Sequence, residues 1–234
     1  MDKNKPASQL SCKYRSLLYR FFRFGGGQAI SVFAKIITSP RIVFQHQLSK
    51  DRQKVYYANH TSNADTVLIW AAIGRRERTS TRPVAAADYW LASPLRRLIG
   101  KDIFNILPIE RHAQNRTVDP VSAMADAIGD GSSLIIFPEG RRNDTASPLL
   151  DMKPGIYHLA KHHPDIDFVP VWIDNLGSVM PRGEIIPVPL ICAVTFGAPI
   201  NLKDNESQQD FMTRARHALC ALAPLDAFNT EDAS

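Results

Sequence analysis

At 234 residues, with 44% apolar and 22% charged side chains, the chain is sized for one well-cored globular domain and is neither a disordered nor a fibrous sequence. Its formal charge of +5 is concentrated at one end: residues 1–50 carry nine Lys and Arg against Asp2 alone, a local +8, so the remainder sums to −3. Basicity confined to one end, with no nucleic-acid fold signature elsewhere, argues against a nucleic-acid partner.

The first segment interleaves bases with apolar and aromatic residues: Leu17-Leu18-Tyr19-Arg20-Phe21-Phe22-Arg23-Phe24, then the stretch from Ile30 to Phe44. Charges interrupt it too often for a transmembrane helix, which needs about 20 mostly apolar residues. Arg20 and Arg23 also break any signal-peptide core, so secretion is not expected. A basic, aromatic, amphipathic stretch suits an anionic membrane surface, and residues 1–50 are expected to associate with one, leaving 51–234 as the main domain. The alternative is a disordered tail followed by an ordinary core helix. Gly25-Gly26-Gly27 has no phosphate-loop context and reads as a hinge between two N-terminal segments. Cys12, Cys192 and Cys220 are odd in number and far apart, which fits reduced thiols and neither zinc spacing nor a disulfide framework.

Beyond residue 50, strand and helix signals alternate. Val55–Ala58 is expected as a strand, followed by a helix from Asn63 to Ile73 that stops at Gly74. Arg75–Arg82 reads as a charged loop and Pro83–Ala87 as a short strand. Ser93-Pro94 supplies an N-cap and first helical residue, with Gly100 closing that helix. Phe104–Ile109 is strand-like, and Asp119-Pro120 opens a helix that Gly129 ends. The fully apolar Leu134–Phe137 suits a central parallel strand. Pro154 can start the next helix, which ends at His163-Pro164. Phe168–Ile173 and Ile191–Phe196 are further strands, separated by a proline-bearing loop from Gly177 to Pro189. Asn205 with Gln208 resembles a capping box for a helix through Leu222. Trp70, Trp90 and Trp172 sit in apolar runs and are assigned to the core. The resulting fold class is α/β, a mainly parallel or mixed sheet flanked by helices.

Two stretches carry chemistry. In Asn59-His60-Thr61-Ser62-Asn63-Ala64-Asp65, five positions on one helix would subtend about 140° and point the two side chains apart. His60 must therefore sit in the turn before the helix, with Asp65 in the first turn. Asp65 can then reach back to one imidazole nitrogen, fixing the tautomer and leaving the other to take a proton. Taken singly, Asp65 would be an acid complementing the helix dipole and His60 a surface turn histidine. The second stretch, Phe137-Pro138-Glu139-Gly140-Arg141-Arg142, also follows an apolar strand, so both belong at the carboxyl edge where α/β sheets bind ligands. Arg142 offers a bidentate fork for a phosphate and Gly140 allows close backbone approach, while Glu139 either orients an arginine or binds the acceptor. His158 and His162 have a metal-like spacing but lack a companion glutamate, and read as cations at a helix C-terminus.

Asn59–Asp65 and Phe137–Arg142 resemble the first and third sequence blocks of the glycerophospholipid acyltransferase family, closest to its lysophosphatidic acid acyltransferases. Pro108-Ile109-Glu110-Arg111 corresponds less sharply to the second block and Val169-Pro170-Val171 to the fourth, so the resemblance runs in order over roughly residues 52–200. It implies transfer of a fatty acyl group from a thioester, acyl-CoA or acyl-acyl carrier protein, to the free hydroxyl of a lysophospholipid, with 1-acylglycerol 3-phosphate giving phosphatidic acid. Another lysolipid, or glycerol 3-phosphate, is the alternative acceptor. His60 would be the base, Asp65 its partner, and Glu139, Gly140, Arg142 and Arg111 the acceptor phosphate site. Arg141 stands where the family has Thr and could share the role of Arg142, and Lys153 matches a basic residue downstream of the third block.

A thioester is already activated, which fits the absence of a Gly-x-Ser-x-Gly nucleophile elbow. No cofactor and no metal are expected. Backbone N–H groups near the helix start after His60 are the expected donors to the tetrahedral oxyanion. The expected location is the cytoplasmic face of the inner membrane, peripheral or monotopic. Readings from other classes are a membrane-binding protein that kept the fold without catalysis and a His-based hydrolase. Intact His60 and Asp65 argue against the first, and the missing nucleophile against the second.

Overall fold

The computed structural model describes residues 25–26, 28, 40–111, 114, 118–174, 192–225 and 227–228. Most of the basic N-terminal segment, Cys12 and the Gly177–Pro189 loop lie outside the described residues. Seven strands form one sheet in the order β1-β7-β6-β2-β5-β3-β4. They are β1 Arg41–Phe44, β2 Lys54–Ala58, β3 Thr81–Ala86, β4 Leu107–Ile109, β5 Ser133–Ile136, β6 Asp167–Asp174 and β7 Ala193–Phe196.

Strands β2 to β6 run parallel, with Val55 opposite Leu134 and Phe168, and Val84 opposite Leu107. β7 is antiparallel to β6 and parallel to β1, so these two strands at one end of the sheet run against the other five. Arg41–Phe44, counted with the basic segment by its charge, is therefore part of the sheet. Its ladder to Ala193–Phe196 and the stacking of Phe44 on Phe196, with ring centroids 4.5 Å apart, hold it there.

β2 and β5 are apolar on both faces because both faces are covered. Val55, Tyr57, Leu134 and Ile136 point to one side, where α5 (Pro120–Gly129), α6 (Gly155–His162) and α7 (Gln208–Cys220) bring Ile128, Leu159 and Phe211. Tyr56, Ala58 and Ile135 point to the other, packing on Leu68 and Ile69 of α1 (Asp65–Ala72) and on Phe104. Trp70 and Trp172 are buried, and Trp90 packs partly buried against the second cluster. Cys192 is fully buried and Cys220 partly buried, and no disulfide joins the described residues.

Several boundaries differ from expectation for local reasons. The charged stretch after Gly74 is a helical turn, α2 (Arg75–Arg78), and β3 begins at Thr81, whose hydroxyl donates to the Glu77 carbonyl at 2.7 Å. After β3 comes the short α3 (Ala87–Trp90), then α4 (Pro94–Arg97), capped by Ser93, whose Oγ accepts from Arg96 N–H. Gly100 does not close α4: the chain continues as a π-helical segment, Leu98–Ile103, in which Gly100 is buried. A Cβ there would lie 2.9 Å from the Trp90 ring, so the glycine serves close packing. Only Leu107–Ile109 of the expected Phe104–Ile109 strand pairs. The cap of α7 is Ser207, which accepts from Asp210 N–H, while Asn205 takes a left-handed φ of 56° in the preceding turn. Gly25 and Gly26 are helical, and Gly26 lies against Ile103.

Candidate active site

Because β2 and β5 are adjacent and parallel, their carboxyl ends deliver two turns side by side. β2 ends at Ala58, and Asn59 extends its pairing with β6 by a side-chain clamp. Asn59 Nδ2 donates to the Ile173 carbonyl at 2.9 Å, and Ile173 N–H donates to Asn59 Oδ1 at 2.8 Å. No local signal in the sequence marks Asn59 for this role. A buried amide that mimics one more ladder residue fixes the direction in which His60 leaves the sheet.

Asp65 is the first residue of α1, and its carboxylate is turned back over the preceding turn. Its Oδ2 accepts from Thr61 N–H at 2.7 Å and from Ser62 N–H at 2.8 Å, and lies 2.8 Å from His60 Nδ1. Asp65 is fully buried, whereas His60 keeps 19% side-chain exposure. A carboxylate can only accept, so Nδ1 carries the hydrogen and Nε2 is the nitrogen left to accept a proton. Asp65 Oδ1 is buried without a partner, so three donors converge on one oxygen. The helix has no side-chain N-cap, because alanine stands at the cap position, and the Asp65 carboxylate serves the turn.

The third block supports His60 from the β5 side. Glu139, only 3% exposed, accepts from His60 N–H through Oε1 at 2.7 Å and from Leu150 N–H through Oε2 at 2.9 Å. Asn143 N–H donates to the His60 carbonyl at 2.6 Å. The Phe137 ring stacks on the imidazole, with centroids 4.1 Å apart and planes 19° apart. Glu139, expected to orient an arginine or bind the acceptor, is instead turned inward onto backbone donors from both turns, so it positions the histidine. Burial pushes its carboxyl above the usual range, and the two backbone hydrogen bonds act in the opposite direction. The strand ends at Ile136, one residue short of the expected Leu134–Phe137, and the Phe137 ring faces the site.

The basic groups divide by position. Gly140 has a left-handed φ of 71°, and a Cβ there would lie 2.6 Å from Lys153 Nζ, so only glycine lets the amine lie against this turn. Lys153 N–H donates to the Pro138 carbonyl at 2.8 Å, tying that segment to the same turn. Arg142 is half-buried beside it, and Arg141 is exposed, 3.9 Å from Asp144. Arg111, at the end of β4, forks onto Asp88 at 3.2 and 2.7 Å. It lies three strands from His60 along the same edge, about 14 Å at the usual strand spacing. The structure therefore gathers Gly140, Arg141, Arg142 and Lys153 around one turn and holds Arg111 apart from it. The backbone donors expected after His60 are mostly engaged within the turn itself. Thr61 and Ser62 serve Asp65, Ala64 N–H donates to Ser62 Oγ, and Asp65 N–H donates to the Ser62 carbonyl.

This arrangement presents an oriented base and a cluster of cations, and among the described residues no Ser or Cys is hydrogen-bonded to the base. The sequence model of the family described as Acyltransferase matches residues 39–174. Among solved structures, the chain is similar to the 1-acyl-sn-glycerophosphate (LPA) acyltransferase PlsC from Thermotoga maritima. The TM-score is 0.69 at 18% identity, covering 94% of this chain and 88% of that one. A comparison with proteins of curated function finds no significant match.

Proposed function

The chain belongs to the Acyltransferase family, and from that premise we propose that it acylates the free hydroxyl of a lysophospholipid, 1-acylglycerol 3-phosphate being the acceptor and phosphatidic acid the product. The observation that carries this reading is the His60–Asp65 pair, 2.8 Å apart with the acid fully buried, beside a turn bearing Arg141, Arg142 and Lys153. His60 Nε2 takes the proton of the acceptor hydroxyl as its oxygen attacks the thioester carbonyl. Asp65 stabilises the imidazolium that forms. The tetrahedral intermediate collapses with cleavage of the C–S bond, and the departing thiolate takes the proton from His60. A general base of this kind accelerates transfer by about 10²–10⁴-fold.

Arg142, with Arg141 and Lys153, receives the acceptor phosphate, and Gly140 lets it approach the backbone. Arg111 offers a further cation along the edge, held by Asp88. The name of the similar solved structure, an acyltransferase of 1-acyl-sn-glycerophosphate, supports this choice of acceptor. Acyl-CoA or acyl-acyl carrier protein is the donor, and no other cofactor enters. No described helix is long and apolar enough to cross a membrane. The enzyme works from an anionic membrane surface on the cytoplasmic face, with residues 1–50 contributing to the attachment. The test is a labelled acyl-transfer assay with both donors and a panel of lysolipids. Transfer to 1-acylglycerol 3-phosphate is expected to dominate, and transfer only to lysolipids without a terminal phosphate would overturn the acceptor assignment.

A further inference from the structure

Four of the seven large apolar side chains exposed among the described residues, Tyr89, Leu95, Leu98 and Val118, fall between the end of β3 and the start of α5. Topology places them together. β3 and β4 are parallel to β2 and β5, so α3 and the chain after it leave the sheet at the same carboxyl edge as His60 and Arg142. α5 runs back from that edge, which puts Val118, just before its cap, there too. By contrast, exposed Phe44 lies on β1, the margin strand on the opposite side of the sheet from β3 and β4. Single exposed leucines need no explanation, but a cluster on one face does.

The cluster is interleaved with bases. Residues 94–101 read Pro-Leu-Arg-Arg-Leu-Ile-Gly-Lys, three positive charges with no acid, and Pro94 through Leu98 are all exposed. Leu95 keeps 65% of its surface in water. Leu95 and Leu98 are three apart on consecutive helical turns and so share a face. The Arg96 guanidinium lies over the Tyr89 ring at 4.4 Å, joining α4 to α3 in one patch. Of the acids around it, Asp88 is held by Arg111, and Asp102, next to Lys101, is half-buried.

We propose that this face, Tyr89, Leu95 and Leu98 with Arg96, Arg97 and Lys101, inserts into the interface of an anionic lipid membrane and turns the carboxyl edge toward it. The chemistry of the patch selects that occupant. Apolar side chains enter the headgroup boundary while the long basic ones meet lipid phosphates. The inference deepens the proposed reaction, since the acceptor would then enter from the bilayer two strands away from the base. It is also distinct from residues 1–50, because it lies within the folded domain.

The experiment is lipid titration of the full chain with anionic and neutral vesicles, across a salt series, alongside Leu95→Ser/Leu98→Ser and Arg96→Gln/Arg97→Gln/Lys101→Gln. The leucine variant is expected to lower partitioning onto anionic vesicles about tenfold, largely independent of salt. The basic variant should lower it on the order of a hundredfold at low salt and progressively less as salt rises. Turnover of a short-chain, water-soluble acceptor should be unchanged in both, which also verifies folding. Unchanged partitioning in both variants overturns the proposal. Equal loss on neutral and anionic vesicles in the basic variant overturns the choice of an anionic surface. Conversion of a solution dimer to monomer, with vesicle binding intact, would assign the face to a second copy of the chain instead. Partitioning is read without turnover, so failure of the acceptor assignment leaves this result standing.

Discussion

Replacing Asp65 by Asn separates two things that the carboxylate does. Three donors converge on Oδ2, namely His60 Nδ1, Thr61 N–H and Ser62 N–H, while Oδ1 has none. The amide oxygen will therefore take the Oδ2 position, because an NH₂ there would face two backbone donors. His60 then keeps its tautomer, and what is lost is the negative charge beside the imidazolium. At about 4 Å between charge centres and an effective dielectric near 20, that attraction is about 4 kcal/mol. Partial solvation of His60 reduces it, so kcat should fall about 10²–10³-fold, while acceptor KM changes little. The amide NH₂ meanwhile sits where Oδ1 was, buried without an acceptor, which costs about 1–3 kcal/mol of stability. Steady-state kinetics with purified Asp65→Asn and its urea unfolding midpoint measure both effects. A kcat within threefold of wild type, or a loss confined to acceptor KM, would refute the assignment of Asp65 as the partner of a catalytic base.

The same geometry gives three further expectations. His60→Ala should abolish transfer, by about 10²–10⁴-fold, with unfolding and vesicle binding unaltered; near-normal turnover of the folded variant would sink the mechanism. Arg142→Ala should raise KM for phosphate-bearing acceptors by an amount equivalent to about 2–5 kcal/mol and leave donor KM nearly unchanged. Arg141→Ala, at a more exposed position, should do much less, and the reverse order would move the phosphate to Arg141. Burial raises the Glu139 carboxyl above its unfolded range, so its folded state binds the proton more readily than the unfolded chain. The stability from that proton is present below the unfolded value and lost as pH rises through the folded one. Urea midpoints of wild type and Glu139→Gln from pH 4 to 7 should therefore shift in favour of the Gln variant as pH rises. A pH-independent difference would show that Glu139 does not titrate differently on folding. Gln has one acceptor oxygen for two backbone donors, so this variant should also lose kcat at every pH.

Much of the architecture was legible in the chain because local signals agreed with one another. Val55–Ala58 and Leu134–Phe137 are apolar on both faces, which only strands covered on both sides can be. Asp119-Pro120 and Ser93-Pro94 start helices because a cap acceptor followed by a residue with no N–H to satisfy has few other uses. The five-residue separation of His60 and Asp65 likewise forced the turn-plus-helix arrangement, since two residues of one helix could not meet. Tertiary structure decided what depends on residues distant in the chain. Glu139 looks like a loop acid until β5 pairs with β2 and brings it 2.7 Å from His60 N–H, 79 positions away. Asn59 gains its role from Ile173, 114 positions away. Gly100 has the local look of a helix stop, but the chain runs on as a π-helical segment, and the glycine's place is set by close packing on Trp90, ten positions earlier. Spacing along the chain determines which groups can share a turn; only strand order determines which turns share an edge, because sheet pairing is set by contacts that no local window contains.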